Sequence, residues 1–414
     1  MAQSIVIVGG GVIGCSLAYH LAGAGQQVTL LERSAVAAEA SSAAAGMLSP
    51  IAESAHPDAF LDLAVAGLRV FQEDAAAIEA VSGLGIEYVP SGVLRTSNEL
   101  ERAGVLQSRV EWAKSAGLPV RWLSRAECLK LEPALGPAVI GGLDSPEEGQ
   151  VHPRRLTQAL AQGAARRGAA IREGAEVHGL LLRGSTVAGV RLSTGDAVEG
   201  DLVLLAGGAW AAFCARGTAD VPVEPVKGQY AILRELPQPI RRVIYGEHAY
   251  LLPRPDGTIY LGATEEPEAG YEKRVTVAGV RELLNAAAEL VPALDGAELA
   301  ATGSGLRPGS PDRLPILGFV PGVSGLAVAA AHFRNGVLLS LITGRLLTES
   351  IVYGRTSMDL TPFAPERFAV PAETEAEGKP GLRMGRAEPK PSNGRAGERK
   401  SGNGSGAAGG RPEA

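Results

Sequence analysis

Cysteine is scarce in this chain of 414 residues: Cys15, Cys128 and Cys214 are the only three. They are too few and too scattered for a disulfide framework, and no C-x-x-C pair suggests zinc. A reducing, cytoplasmic setting without a resident metal is the expectation. No run of about 18 uninterrupted apolar residues occurs, which argues against a membrane-spanning helix. The opening stretch Met1–Val8 lacks the basic flank of a signal peptide and runs straight into glycines, so a buried strand is expected there. Positive charge is not in excess either, with 39 Lys and Arg against 45 Asp and Glu. Binding a phosphate backbone needs a concentrated basic surface, so nucleic acid is not an expected partner. Neither a G-x-S-x-G nucleophile elbow nor a P-loop is present.

What the chain does have is apolar residues, 45% of the total, and glycine, 54 residues. The first is enough for a substantial core, and the length suggests two or three domains. The second lies well above the average of about 7%. Ten of those glycines fall in 371–414, a stretch without aromatics that mixes Pro, Glu, Lys, Arg, Ser and Asn with no periodicity. Such a composition buries too little apolar area to offset the entropy of ordering, so a disordered tail is expected.

Before Pro371, strand-like and helix-like segments alternate. Ser4–Val8 and Gln27–Leu31 read as buried strands with a helix over Val12–Ala24 between them. Thr186–Leu192 and Ala197–Leu205 flank Ser-Thr-Gly-Asp, and Tyr250–Pro253 and Thr258–Gly262 flank Arg-Pro-Asp-Gly; both read as hairpins. Leu338, Leu341, Ile342 and Leu346 lie near helical spacing and predict a long helix over Val337–Ile351. The fold class expected is α/β plus α+β: a Rossmann-like nucleotide-binding domain with a second, mostly antiparallel-sheet substrate domain.

The sharpest local motif is Gly9-Gly10-Gly11-Val12-Ile13-Gly14, a G-x-G-x-x-G between strand and helix. Gly9 permits the tight turn, Gly11 lets backbone N–H groups approach a pyrophosphate, and Gly14 lets helix and strand pack closely. The helix N-terminus adds partial positive charge. Glu32 follows the next strand, placed to accept hydrogen bonds from a ribose diol. An acidic residue there favours an unphosphorylated ribose, so a dinucleotide other than NADP is expected. Ala40–Leu48 is a run of small residues whose backbone could lie against a flat ring, with Ser41 and Ser42 hydroxyls in reach of phosphate; a small-residue helix start is the other reading.

In these segments the chain resembles the D-amino-acid-oxidase-like FAD-dependent amine oxidases, and most closely the glycine oxidases of the ThiO type. The resemblance runs from Ser4 to about Phe363. It is carried by Ile5–Gly14, Ala40–Leu48, the Gly-Leu-Arg-Pro-Gly of Gly305–Gly309 and the His-Phe-Arg-Asn-Gly of His332–Gly336. It implies FAD contacts from Gly9, Gly11, Val12, Ile13 and Gly14, from Glu32 and Arg33, and from Ala40, Ser41, Ser42, Ala45, Gly46 and Met47. It further implies contacts from Val177, whose backbone would meet the adenine portion, from Gly207, and from His332, Phe333, Arg334, Asn335, Gly336, Val337 and Leu338. The FAD-binding domain is expected from 1–85, 140–210 and 305–370, and the substrate domain from 86–139 and 211–304.

The resemblance also implies a reaction, oxidative deamination of glycine by hydride transfer from Cα to flavin N5, with no obligatory protein acid or base. Glyoxylate, ammonia and hydrogen peroxide would form through an imine, and sarcosine or small D-amino acids are further candidate substrates. Arg307 is the expected bidentate clamp on the substrate carboxylate, Tyr250 its hydrogen-bonding partner, and Arg334 a residue beside substrate and flavin. The helix after Arg334 would point its N-terminus at the flavin N1–C2=O edge. Glu53 corresponds to a position near the entrance, and Glu265 stands where some relatives carry methionine. His332 would contribute backbone, with its ring structural. Some relatives attach flavin through a cysteine near the last flavin segment; none lies between Gly303 and Phe363, so FAD is expected to be noncovalent. A homo-oligomer, partnership with thiazole-synthesis enzymes and a role in thiamine formation follow from the resemblance alone. The rival readings are a D-amino-acid dehydrogenase or sarcosine-type oxidase of the same fold and, from a different class, a noncatalytic FAD-binding subunit.

Overall fold

The computed structural model describes residues 2–54 and 56–369; the tail expected at 371–414 lies outside the described residues. The continuous apolar run Ile5-Val6-Ile7-Val8 becomes the middle of a six-stranded sheet, buried on both faces, as parallel strands covered by helices require. Across that sheet the order is Ile316–Phe319, Leu326–Ala330, Leu202–Leu205, Ser4–Val8, Gln27–Leu31 and Ala170–Arg172. All neighbours are parallel except the first pair.

The helix Val12–Gly23 is buried nearly all round, from Val12 to Leu21 without a gap except His20. A helix apolar on every side belongs in the interior, and this one packs between the helices Pro153–Arg166 and Ser340–Tyr353. Close approach is built in at Gly14, where a Cβ would stand 2.0 Å from Gly9 O. The third glycine of the motif therefore serves packing, as its position in the sequence suggests.

The second large sheet has eight strands in the order Glu298–Gly309, Glu224–Arg234, Ile259–Gly262, Tyr250–Pro253, Val243–Tyr245, Val93–Ser97, Gly141–Ser145 and Arg121–Ser124. It is antiparallel apart from the pairing of Val243–Tyr245 with Val93–Ser97. Its core is a separate apolar cluster that includes Leu94, Leu251, Leu261 and Leu283. The mixed architecture, a Rossmann-like parallel sheet plus a largely antiparallel one, is the fold class read from the sequence. Both hairpins form as expected.

Two elements differ. Ala197–Leu205 is two strands in two sheets: Ala197–Glu199 pairs with Thr186–Leu192, and Leu202–Leu205 joins Ser4–Val8. The break falls at Gly200-Asp201, where the Asp201 carboxylate accepts from Ser4 N at 2.8 Å and Ser4 Oγ at 3.0 Å and so redirects the chain. The last helix starts at Ser340, three residues later than its apolar spacing suggests, because Phe333–Asn335 forms a 3₁₀ turn first. Among the described residues, no helix is long and apolar enough to cross a membrane.

Phe71 on the helix Ala59–Ser82 is, with Phe363, the largest wholly buried side chain among the described residues, and it stacks 6.3 Å from Tyr88. Phe71→Ala should lower the unfolding free energy by ~3–5 kcal/mol, read as a reduced urea midpoint with an unchanged slope.

Candidate functional site

A cavity of about 630 Å³ gathers segments that are far apart in the chain. One part is built where the strand Ser4–Val8 gives way to its helix. Gly9 takes φ +115°, and the helix N-cap, Gly11, offers no side chain. No acidic residue sits in the first turn; Val12 N alone is met by a side chain, donating to Ser41 Oγ at 2.9 Å. Free donors and a positive helix end thus face the cavity, which is what an anion needs. A Cβ at Gly11 would intrude there, 3.3 Å from Ser41 Oγ.

Glu32 lines the same part, its carboxylate oriented by Gly10 N at 2.7 Å and Ser34 N at 2.9 Å. Arg33 lies with its guanidinium 3.9 Å from the Trp210 ring centroid and 2.8 Å from Glu39. Cys214 shares this wall; burial, countered by nearby Arg33, pushes its thiol up to about 11. Donor-rich backbone, an acidic ribose acceptor and an aromatic wall suit a dinucleotide, so the residues present fit FAD.

The other part is walled by tyrosines from the antiparallel sheet. Tyr260 stacks on Tyr230 at 4.9 Å and on Tyr250 at 6.3 Å, and its hydroxyl donates to Ala43 O at 2.6 Å. Arg307 projects from the long strand Glu298–Gly309 and donates to Thr264 O at 3.0 Å and Lys227 O at 3.3 Å. It has no carboxylate partner among the described residues. Space for it depends on Gly228, where a Cβ would lie 2.3 Å from Arg307 Nη1.

Arg334 is differently placed. Its Nε lies 3.0 Å and its Nη2 3.2 Å from the two oxygens of Glu53, and Nη2 also donates to Tyr245 OH at 2.6 Å. Glu265 stands 3.7 Å away and pairs with Arg313 at 3.0 Å. Glu53 holds the guanidinium well above its ordinary range against the opposing effect of burial, while burial, then Glu53, pushes the Tyr245 phenol up to about 12. His332 is buried with Nε2 3.1 Å from Thr343 Oγ1. Burial holds its ring down at about 3, so it is neutral at physiological pH.

The segment that carries Glu53 is itself clamped. Ser49 Oγ and Ile51 N donate to the buried Glu148, the latter at 2.8 Å. Arg109 donates to Ile51 O at 3.0 Å and Ser54 O at 2.5 Å, and Arg95 to Ala52 O. Burial lowers Arg109 to about 10 and raises Glu148 to about 7.

Of the residues expected at the site, Tyr250, Arg307, Arg334 and Glu53 line the cavity. So do Gly9, Gly11, Val12, Ile13, Glu32, Arg33, Ala40, Ser41, Ala45, Gly46, Met47, Val177 and Gly207, and His332 through Val337. Gly14, Ser42 and Leu338 do not. Gly14 packs on Gly9, Ser42 donates to Ala37 O, and Leu338 is buried in the helical core. Sequence reasoning missed Tyr245, Tyr260, Gly228 and Trp210. The alternation of Tyr260 with Gly262 on one strand was a usable signal for one of them; the others depend on pairing across the sheet or on a turn.

The family model described as "DAO: FAD dependent oxidoreductase" matches residues 4–350. The chain is 35% identical over 366 residues to a glycine oxidase of Geobacillus kaustophilus, covering 88% of this chain and 96% of that protein. It is 37% identical over 379 residues to the bifunctional protein ThiO/ThiG of Trichormus variabilis, covering 90% of this chain and 56% of that longer protein. The crystal structure of glycine oxidase from Geobacillus kaustophilus matches with a TM-score of 0.84 at 34% identity, over 89% of this chain and 100% of that one.

Glu148 gives the fold a pH signature. Its folded value, about 7, lies above the free value of 4.5, so its stabilising contribution is complete below about 4.5 and is lost as pH rises through 7. Urea unfolding from about pH 5 to 8 should show wild type losing stability that Glu148→Gln retains; a difference between the two that is constant with pH would refute the assignment.

Proposed function

The chain belongs to the DAO family of FAD-dependent oxidoreductases, and we propose that it is a glycine oxidase. The observation that carries this reading is Arg307, a cation without a carboxylate partner among the described residues at the tyrosine-lined part of the cavity. A planar guanidinium fits a carboxylate through two parallel hydrogen bonds. Tyr250, whose ring lies 5.7 Å from Tyr245, lines the same cavity and brings a hydroxyl to it. Arg334 is already balanced by Glu53, so the pocket is set up for one carboxylate rather than two.

FAD, when bound, would supply the two-electron acceptor for the hydride of the substrate Cα–H bond, while the amine lone pair makes the Cα–N bond an imine. The protein's task is then orientation and exclusion of water. Arg307 would fix the carboxylate and Tyr250 its remaining lone pair. The overall conversion is glycine, O₂ and water to glyoxylate, ammonia and hydrogen peroxide through an imine. Sarcosine and small D-amino acids fit the same clamp. Supply of the imine to thiazole synthesis follows from the resemblance to ThiO-type enzymes.

A panel of glycine, sarcosine, D-alanine and D-proline with peroxide detection tests this. Peroxide release on glycine is expected; no turnover by FAD-loaded protein would reject the assignment. Arg307→Ala should raise KM for glycine by about 10- to 100-fold, from the loss of a charged hydrogen-bonded pair, while FAD still binds. No cysteine lies between Gly303 and Phe363, where some relatives attach flavin, and this supports noncovalent FAD. Denaturation and filtration should place all flavin in the filtrate, and yellow polypeptide would overturn that.

A further inference from the structure

The segment from Glu266 to Thr276 leaves the antiparallel sheet after the strand Ile259–Gly262 and ends at the helix Val277–Leu290. Both of its ends meet on one buried side chain. Gln229 Nε2 donates to Glu266 Oε1 at 2.7 Å and to Thr276 Oγ1 at 3.1 Å, and Gln229 Oε1 accepts from Thr276 N at 2.8 Å. Lys227, also buried, pairs with Glu266 at 3.1 Å. A buried polar cluster whose groups are satisfied in this way fixes the base of the loop.

The tip reaches across to the nucleotide part of the cavity. Tyr271 OH donates to Ala209 O at 2.9 Å, and its ring lies 5.6 Å from Trp210 and 5.4 Å from Phe213. Two residues on, Lys273 Nζ lies 3.0 Å from Glu39 Oε2, and Ser304 Oγ donates to Lys273 O. Trp210 and Phe213 line one side of the cavity, and Glu39 lines it from a distant part of the chain. The tip therefore ties Trp210 and Phe213 on one side to Glu39 on the other, a span that Arg33 also bridges. Its bonds are of the breakable kind: one partly exposed ion pair, two hydrogen bonds and contacts with the ring of Tyr271, a residue 39% exposed.

We propose that Glu266–Thr276 is a retention strap for the dinucleotide, hinged at Gln229 and latched by Tyr271 and Lys273, and that FAD leaves when the latch lifts. This rests on the reading of the cavity as an FAD site. In the latched state Tyr271 supports the Trp210 wall from behind while Lys273 holds Glu39, the partner of Arg33, in place. The latch thus acts on the exit rate of a molecule it does not need to touch.

Release of FAD from the purified holoprotein, followed by the recovery of flavin fluorescence on dilution, tests the strap. Tyr271→Ala should release FAD about tenfold faster than wild type, and Lys273→Met about two- to threefold faster, since affinity changes of this kind appear mainly as exit rates. The melting temperature of the apoproteins should not change, because neither side chain belongs to a core. Tyr271→Phe keeps the ring and loses only the bond to Ala209 O, so it carries the test if the alanine variant fails to fold; it should fall between wild type and Lys273→Met. Release at the wild-type rate in all variants would overturn the strap alone. A wild-type protein that takes up no FAD would overturn the strap and the cofactor reading together.

Discussion

Arg334 and Glu53 meet over 281 positions of chain, with both guanidinium contacts within 3.2 Å. That pair sets the charge of the whole site. Left alone, Arg334 and Arg307 would leave two half-buried cations at one cavity, and each unpaired charge would carry a desolvation cost. Glu53 settles one of them internally, Tyr245 fixes its direction, and Arg307 keeps no carboxylate partner among the described residues. The pair also joins the segment after the last central strand to the segment after the small-residue run, so the two halves of the cavity wall cannot drift independently.

Such an arrangement asks for support behind it. The short helix Pro50–Glu53 is too brief to hold itself by backbone bonds, and the molecule encloses it with buried charged groups instead. Glu148 accepts from its start, Arg95 and Arg109 donate to its carbonyls, and the buried Arg109 Nε and Ser54 Oγ have no hydrogen-bond partner among the described residues. Groups of this kind are tolerated where position matters more than stability.

The sequence disclosed those parts of the site that depend on neighbours along the chain. Gly9, Gly11 and Glu32 are recognisable because a turn, a helix start and a strand end are local events. Arg307 and Arg334 stand in short motifs whose flanking glycines mark them. Tyr245 and Gly228 gave no such sign: one faces Arg334 through the pairing Tyr245↔Tyr250, and the other is small because Arg307 passes over it from the adjacent strand. The same limit explains Ala197–Leu205, whose apolar run conceals a change of sheet at Gly200-Asp201. The late start of the last helix has a different cause, since apolar spacing continues through a 3₁₀ turn without interruption.

Arg307 sits opposite Val226 in a pairing that runs from Glu224↔Gly309 to Arg234↔Glu298. A slip of one residue would turn every side chain of a strand to the opposite face. The one irregularity in this pairing lies at Ile232/Leu233, beyond the clamp, where it alters the far end of the ribbon and leaves Arg307 in place. Insertions or deletions between Glu224 and Leu233 would therefore move Arg307 relative to Gly228 and reshape this wall of the cavity even if the protein folded well. Over this stretch the two strands share one register, although residues 235–297 between them carry three more strands of the same sheet, Val243–Tyr245, Tyr250–Pro253 and Ile259–Gly262.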